Sequence, residues 1–187
     1  MPHRTRLVPL ALTALFIAGA SLATTVVHMD TRALVQRSHD IVIGTVEGSR
    51  SYWNADHTRI LTEVTVNVSE SLKGEGPGRL VLTQLGGELD GMRYHIEGSP
   101  RFARGEEALL FVWRDPQGRA QVNGLAQGKF EIGRDAGGTR VVQRATPGLA
   151  FRDPQSLRAL PEGTAPARVT LDDMKREIAS VLKEGGR

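Results

Sequence analysis

Residues 59–74 read RILTEVTVNVSESLKG, and this stretch decides the fold because it carries the clearest strand pattern in the chain. Apolar and β-branched side chains alternate with mostly polar ones over the nine residues 60–68. Successive side chains of a strand point to opposite faces, so this period of two predicts a strand with one buried face. A glycine-rich turn at 73–78 leads into RLVLTQL at 79–85, which predicts an antiparallel hairpin.

Short apolar segments separated by turns continue on both sides of this hairpin. IVIGTVEGS at 41–49 precedes it, and Gly44 in that segment predicts a β-bulge or a close approach of two backbones. After it come EALLFVW at 107–113, RAQVNGLAQGKFEIGR at 119–134 and TRVVQRA at 139–145, each predicted as one strand. This rhythm is typical of a mainly β fold, a small antiparallel barrel of the OB type.

Helical patterns flank the predicted barrel. Asp30 has the character of an N-cap for a short helix that continues through RALVQRSHD at 32–40. An amphipathic helix at 170–184 is predicted by the apolar stripe Leu171, Met174, Ile178, Val181 and Leu182. We expect an OB-like domain at 24–144, a proline-rich tether at 145–169 and a terminal helix packing on the domain; docking of that helix on a partner is the alternative.

The first 23 residues have the pattern of a secretory signal peptide. A basic start, MPHRTR, is followed by the uncharged run LVPLALTALFIAGASLA, and Ser21 and Ala23 fit an A-x-A-like cleavage site. We expect cleavage near Ala23 and an extracytoplasmic protein, periplasmic or secreted, without a membrane partner; an uncleaved anchor is the alternative. The chain has no cysteine, so its core must stabilise the fold without disulfides.

Charge argues against a nucleic-acid partner. Of the 24 basic residues, Arg4 and Arg6 leave with the signal peptide, and the remaining 22 face 21 acidic residues. Such a balance is not typical of a polyanion-binding surface. Phe111 and Trp113 share one face of an apolar strand, which favours a place in the core over stacking with bases.

The sequence offers no convincing catalytic or metal centre. Ser38, His39 and Asp40 are adjacent, whereas the members of a catalytic triad converge from different parts of a fold, and no G-x-S-x-G motif is present. No histidine pair has zinc-binding spacing. Asp56 beside His57, or Glu88 with Asp90, supplies too few ligands for a metal site, so we expect neither a metal nor another cofactor.

Three motifs in fixed order carry a resemblance. GGELDGM at 86–92, SPRFARGEEALLFV at 99–112 and GLAQGKFEI at 124–132 resemble a group of uncharacterised exported bacterial proteins over about residues 31–133. The V-x-G-x-V pattern at 42–46 is also similar to the OB-like barrels of the netrin and tissue-inhibitor-of-metalloprotease class. The first resemblance implies a fold and an extracytoplasmic address. The second resemblance implies peptidase inhibition. Those inhibitors rely on a cysteine at the N-terminus. Because this chain has no cysteine, inhibition is not carried over through that residue.

The connection at 86–107 is the candidate recognition loop. Its glycines permit unusual backbone angles, MRYHIE at 92–97 alternates like a short strand, and Met92 and Phe102 look like buried residues. The candidate ligand-binding residues are Glu88, Asp90, Arg93, His95, Arg101 and Arg104. We predict a non-enzymatic binding module for a protein or peptide; the alternatives are an accessory or inhibitor protein of secreted peptidases and a hydrolase using the acids of the loop.

Overall fold

A computed structural model of the chain describes residues 24–76, 78–146, 148–161 and 168–185. The predicted signal peptide with its cleavage site, and Pro147 and Pro166 of the predicted tether, lie outside these residues. In chain order the elements are β1 (Thr24–Val27), α1 (Thr31–Arg37), β2 (Asp40–Trp53), β3 (Ile60–Lys73), β4 (Arg79–Leu85), β5 (Gly87–Leu89), β6 (Met92–Tyr94), β7 (Glu107–Arg114), β8 (Ala120–Val122), a 3₁₀-helix (Leu125–Gly128), β9 (Lys129–Arg134), β10 (Arg140–Arg144), β11 (Leu149–Arg152), β12 (Val169–Thr170) and α2 (Leu171–Gly185).

Five strands close most of a ring. β2, β3 and β4 form an antiparallel meander, β7 pairs with the other edge of β2, and β8 pairs with β7. A single parallel bridge, between Leu82 and Ala120, joins β4 to β8, so the ring is nearly closed. The order β2-β3-β4-β8-β7 with one parallel contact is that of a small Greek-key barrel of the OB type. The predicted fold class is therefore confirmed.

Gly44 lets the two longest strands approach closely. A Cβ atom at this position would lie 2.6 Å from the carbonyl oxygen of Asn67 on β3. The register of β2 against β3 also shifts between Ile43 and Gly44. The predicted close approach and bulge are both confirmed, and such irregularities help a sheet to curl into a barrel.

The barrel wall separates two hydrophobic cores. The first fills the barrel and consists of Val42, Val46, Val64, Val66, Leu80, Leu82, Ala108, Leu110, Val112 and Ala120. The second lies between the outer face of β2, β7, β9 and β10 and the two helices, with Ile41, Ile43, Leu109, Phe111, Phe130 and Val142 from strands and Leu34, Val35, Met174 and Ile178 from helices. β2 and β7 contribute to both cores, which explains their nearly continuous apolar sequences.

Helix α2 covers the outer face of the sheet. Thr170 caps it, since its hydroxyl accepts a hydrogen bond of 3.1 Å from the Asp173 N–H. The predicted stripe is buried except for Leu182, which is half-buried. No helix in the described part of the chain is both long enough and apolar enough to cross a membrane. We call the region formed by α1, α2, β1 and the second core the helix-covered side.

The structure corrects three local predictions. The predicted strand at 119–134 is interrupted by the 3₁₀-helix, because Gly124 adopts left-handed angles with a φ of 68°. The first helix ends at Arg37 rather than continuing through 40, and Asp40 already belongs to β2. The segment predicted as an irregular tether contains β11, which pairs in parallel with β1. This partner lies more than a hundred residues away, so no local pattern announces the strand.

Candidate functional site

The connection 86–106 folds into a hairpin above the barrel mouth. Gly87–Leu89 and Met92–Tyr94 pair as the antiparallel strands β5 and β6. A Cβ atom at Gly86, whose φ is 100°, would lie 2.7 Å from the carbonyl oxygen of Tyr94. The Thr62 hydroxyl donates a hydrogen bond of 2.6 Å to the Gly86 carbonyl. The hairpin therefore depends on a glycine at its base and is tied to β3.

The return of the loop is anchored inside the barrel. Phe102 packs against the barrel core. The Lys129 ammonium lies 5.2 Å from the centre of its ring and forms a buried ion pair with Glu106. The other oxygen of Glu106 accepts a hydrogen bond of 2.9 Å from the Ala103 N–H. These contacts hold the segment on a rigid base.

Between the hairpin and this anchor lies an open cleft of about 660 Å³. Its floor consists of polar side chains from the ends of the barrel strands, and its wall is the loop. We call the cleft together with β5, β6 and the segment 95–106 the open end. The lining residues are Ser49, Ser51, Thr62, Gln84, Leu85, Gly86, Gly87, Glu88, Arg93, Tyr94, His95, Ile96, Ser99, Pro100, Arg101 and Phe102.

Four of the six predicted site residues line this cleft: Glu88, Arg93, His95 and Arg101. Glu88 and Arg93 form an exposed ion pair across the hairpin. The Nε2 atom of His95 lies 3.5 Å from a carboxylate oxygen of Glu97. Arg101 is exposed and has no ion pair or side-chain hydrogen bond to the described residues.

The other two predicted residues lie apart from the cleft lining. Asp90 is in the hairpin turn, where it accepts a hydrogen bond of 3.1 Å from the indole N–H of Trp53. Trp53 in turn stacks on His57 at 6.3 Å between ring centres. Arg104 is exposed beside the cleft but does not line it.

Sequence reasoning missed Tyr94 and Met92. Both are exposed, by 44% and 51%, on the same face of β6. Met92 had been expected to be buried, and the expectation is wrong because the β5–β6 hairpin stands above the barrel rather than inside it. The alternation in MRYHIE showed that the two side chains share a face, but no local signal showed which face meets solvent.

A second, smaller cleft of about 200 Å³ lies on the outer face of the barrel beside the same end of β4. It is lined by Asn54, Arg59, Leu61, Thr83, Gln84, Leu85, Arg119 and Gln121. Asp115 orders its rim, accepting 2.7 Å and 2.9 Å hydrogen bonds from the Nε and backbone N–H of Arg119. Burial of the Asp115 carboxyl raises its pKa, but these bonds outweigh burial and hold the pKa below its ordinary value.

The adjacent Ser38, His39 and Asp40 make no catalytic arrangement. The Ser38 hydroxyl is 3.0 Å from the Asn123 amide nitrogen, which donates to it, and His39 Nδ1 accepts a bond of 3.1 Å from the Arg114 N–H. Asp40 pairs with Arg114 at 2.8 Å. Ser38 joins the end of α1 to the residue after β8, whereas His39 and Asp40 contact the end of β7. Among the residues that the structure describes, no three histidine or acidic side chains gather to hold a metal ion.

The acids of the loop are also dispersed. Glu88 is the one carboxylate among the described residues of 86–107 that lines the cleft. Glu106 turns inward to Lys129, and Glu107 pairs with Arg140 at 2.5 Å. General acid and base catalysis by two carboxylates requires that both reach one substrate. Asp90 lies near Glu88 at the tip of the hairpin, but no second loop carboxylate among the described residues lines the cleft.

No protein-family model matches the chain, and no curated protein matches it.

Proposed function

We propose that the chain is an exported, non-enzymatic binding module whose open end takes up a protein or peptide partner. The observation that carries the proposal is the exposure of Tyr94 at the rim of a large cleft that also presents Arg101, which is unpaired among the described residues; Met92 is exposed beside Tyr94 on the same face of β6. Tyrosine, methionine and arginine are the residue types that protein interfaces favour. Their concentration in one loop, above a mainly polar floor, supports recognition at this end.

The support beneath the loop favours binding without rearrangement. Phe102, Lys129 and Glu106 fix one end of the connection, and Thr62 fixes the other through Gly86. A recognition loop held on a rigid scaffold loses less conformational entropy when a partner binds. The open end therefore has the stiffness expected of a binding surface.

The two alternatives receive different support. A hydrolase would need a second carboxylate beside Glu88 in the cleft, and no other acid of the described loop lines it. An accessory or inhibitor of secreted peptidases would be one particular kind of protein partner, and the experiment below identifies it if it exists. Export rests on the pattern of residues 1–23, and the mass of the protein isolated from the cell envelope should correspond to a chain that begins at Thr24.

Site-specific photocrosslinking in the native host tests the proposal. A photoreactive phenylalanine analogue is placed at Tyr94 and, as the matched control, at Leu157, which is also exposed but does not line either cleft. We expect a discrete protein or peptide adduct from position 94 and none from position 157, because only the first lies on the proposed surface.

Equal labelling from both positions, or none from position 94 in a correctly folded protein, would contradict the proposal. The identity of the adduct also decides between the kinds of partner. Recovery of a secreted peptidase would support the inhibitor alternative, whereas recovery of any other protein would exclude it.

A further inference from the structure

We propose that the open end recognises an acidic peptide in extended conformation, which adds as a further strand to the free edge of β4. This inference rests on the proposed function and names the chemistry of the partner. It comes from the position of an unpaired strand edge between the two clefts, together with the charges that surround it.

On one side of β4, only a single pair of described residues closes the barrel. Leu82 makes the parallel bridge to Ala120, but the following residues, Thr83 to Leu85, pair only with β3 among the described strands. A strand edge without a neighbour presents N–H and C=O groups that another extended chain can pair with. The end of β4 therefore offers a short template for strand addition.

The two clefts lie on opposite faces of this edge. Both include Gln84 and Leu85 in their linings, one cleft at the barrel mouth and the other on the outer face. Successive side chains of a strand point to opposite faces. A peptide added beside β4 would therefore place alternate side chains in the two clefts, so each cleft would read one half of its sequence.

The charges around the edge favour an acidic peptide. Glu88 is the single carboxylate lining either cleft within the described residues, and Arg93 neutralises it. Arg119 is neutralised by Asp115. Arg101 in the first cleft and Arg59 in the second have no acidic partner in the described part of the chain, so each cleft retains one uncompensated positive charge.

A polar side-chain atom between the two clefts also lacks a hydrogen-bond partner among the described residues. The side-chain carbonyl oxygen of Gln84 is buried and accepts no hydrogen bond from any described residue. Buried acceptors normally find a donor. A peptide beside β4 would continue the ladder of the sheet next to this residue, whereas an acidic polysaccharide would satisfy the two arginines but could not.

The experiment titrates the folded chain from Thr24 onward with blocked heptapeptides and follows binding by NMR and by amide hydrogen exchange. The probes are TVEEVTV, whose adjacent glutamates would face the two clefts, and its counterparts TVQQVTV and TVKKVTV. We expect TVEEVTV to bind at least about fivefold more tightly than TVQQVTV, and TVKKVTV not to bind. Binding should also slow exchange of the amide at 83–85 that faces the free edge, that of Leu85, about tenfold, because the Gln84 N–H already points toward β3.

Matched variants test which arginines contribute to peptide binding. R101Q and R59Q should each weaken TVEEVTV binding about threefold, as expected for exposed ion pairs, while R37Q on α1 should leave the affinity unchanged. Equal binding of the three peptides, no binding of TVEEVTV, or binding without protection at Leu85 would overturn the inference. A short acidic oligosaccharide that binds in an Arg101-dependent manner while the peptide does not bind would also overturn it. In each case an adduct from position 94 would leave the proposed function standing.

Discussion

The helix-covered side and the open end treat polar side chains in opposite ways. On the helix-covered side, the buried Gln127 accepts from the Met29 N–H at 2.8 Å and donates to the Val27 carbonyl at 3.1 Å. Lys73 donates to two carbonyls at the end of α1. At the open end, by contrast, the Glu88–Arg93 ion pair and Arg101 are exposed, while Glu106 is tied inward to Lys129. Polar groups of the first region hold the main chain in place, whereas the exposed charges of the second remain available.

Two arginines sharpen the contrast. Arg144 is 5% exposed, lies 4.6 Å from the centre of the Phe130 ring and donates to the Met29 carbonyl at 3.2 Å. Burial lowers its pKa to about 10, although Asp30 opposes the shift, so it stays charged at neutral pH. Arg101 is exposed and unpaired within the described residues. The same residue type therefore serves structure in one region and is free for recognition in the other.

The largest effect on stability is expected beneath α2. Ile178→Ala removes a fully buried side chain from the second core and should lower the free energy of unfolding by about 2–5 kcal/mol. Chemical denaturation measures the loss. Tyr94→Ala is the control from the open end and should change stability by less than about 0.5 kcal/mol. Similar losses for both variants would remove the distinction between the regions.

Gln127→Ala should follow, with a loss of about 2–3 kcal/mol, because two main-chain groups lose their hydrogen-bond partner at once. The matched control is Gln143→Ala, which truncates an exposed glutamine on β10 and should be nearly neutral. Thermal or denaturant unfolding of both variants provides the comparison. If the two changes cost the same, the bridge made by Gln127 does not stabilise the helix-covered side.

Gly44→Ala tests the strand that the two cores share. The added methyl group would meet the Asn67 carbonyl and should cost about 1–2 kcal/mol, since the backbone can shift only partly. Gly133→Ala on β9 is the control, because a Cβ atom there has no neighbour within 4 Å. An unfolding free energy unaffected at position 44 would contradict the close approach of β2 and β3.

The stability of the helix-covered side should depend on pH through His28. Burial, and then the positive charge of Arg144, lower the pKa of His28, while Asp30 opposes them. The folded state therefore binds a proton less readily than the unfolded state, so His28 reduces stability as the pH falls through the unfolded value of about 6.5. His28→Gln should flatten this decline between about pH 7.5 and pH 5.5, and an unchanged slope would contradict the assignment.

The smallest effect on stability is expected from Glu88→Gln at the open end. Its ion pair with Arg93 is exposed, and such pairs contribute at most about 1 kcal/mol and often nothing. Denaturant unfolding should place the variant within about 0.5 kcal/mol of the parent chain. A loss comparable to that of Gln127→Ala would mean that the ion pair is a structural tie of the hairpin.

The sequence predicted best where periodicity is local. The alternation in 60–68 and the stripe on α2 follow from one buried face each, and both agree with the observed burial. The β1 and β11 pairing was missed because it joins distant segments of weak pattern. The interruption at Gly124 was missed because glycine in a strand is compatible with a bulge as well as a turn.

For the site, the sequence identified the loop and its charges but not their geometry. Four of the six candidate residues line one cleft, which followed from their position on a single connection. The contributions of Gln84 and Thr62 could not be foreseen, because they belong to regular strands, and only the closed barrel shows which of their inward-facing residues form the floor of the mouth. The exposure of Tyr94 depends on the height of the hairpin above the barrel, which no local pattern encodes.

The most direct test of the division between the two regions is the photocrosslinking yield from position 94 in the R101Q/R104Q variant. Both arginines are exposed and neither has an ion pair among the described residues, so the variant should fold with unchanged stability. If the arginines of the open end contact a partner, the crosslinking yield should fall severalfold relative to the parent chain. A yield that stays the same in the folded variant would contradict the claim that these charges face a partner.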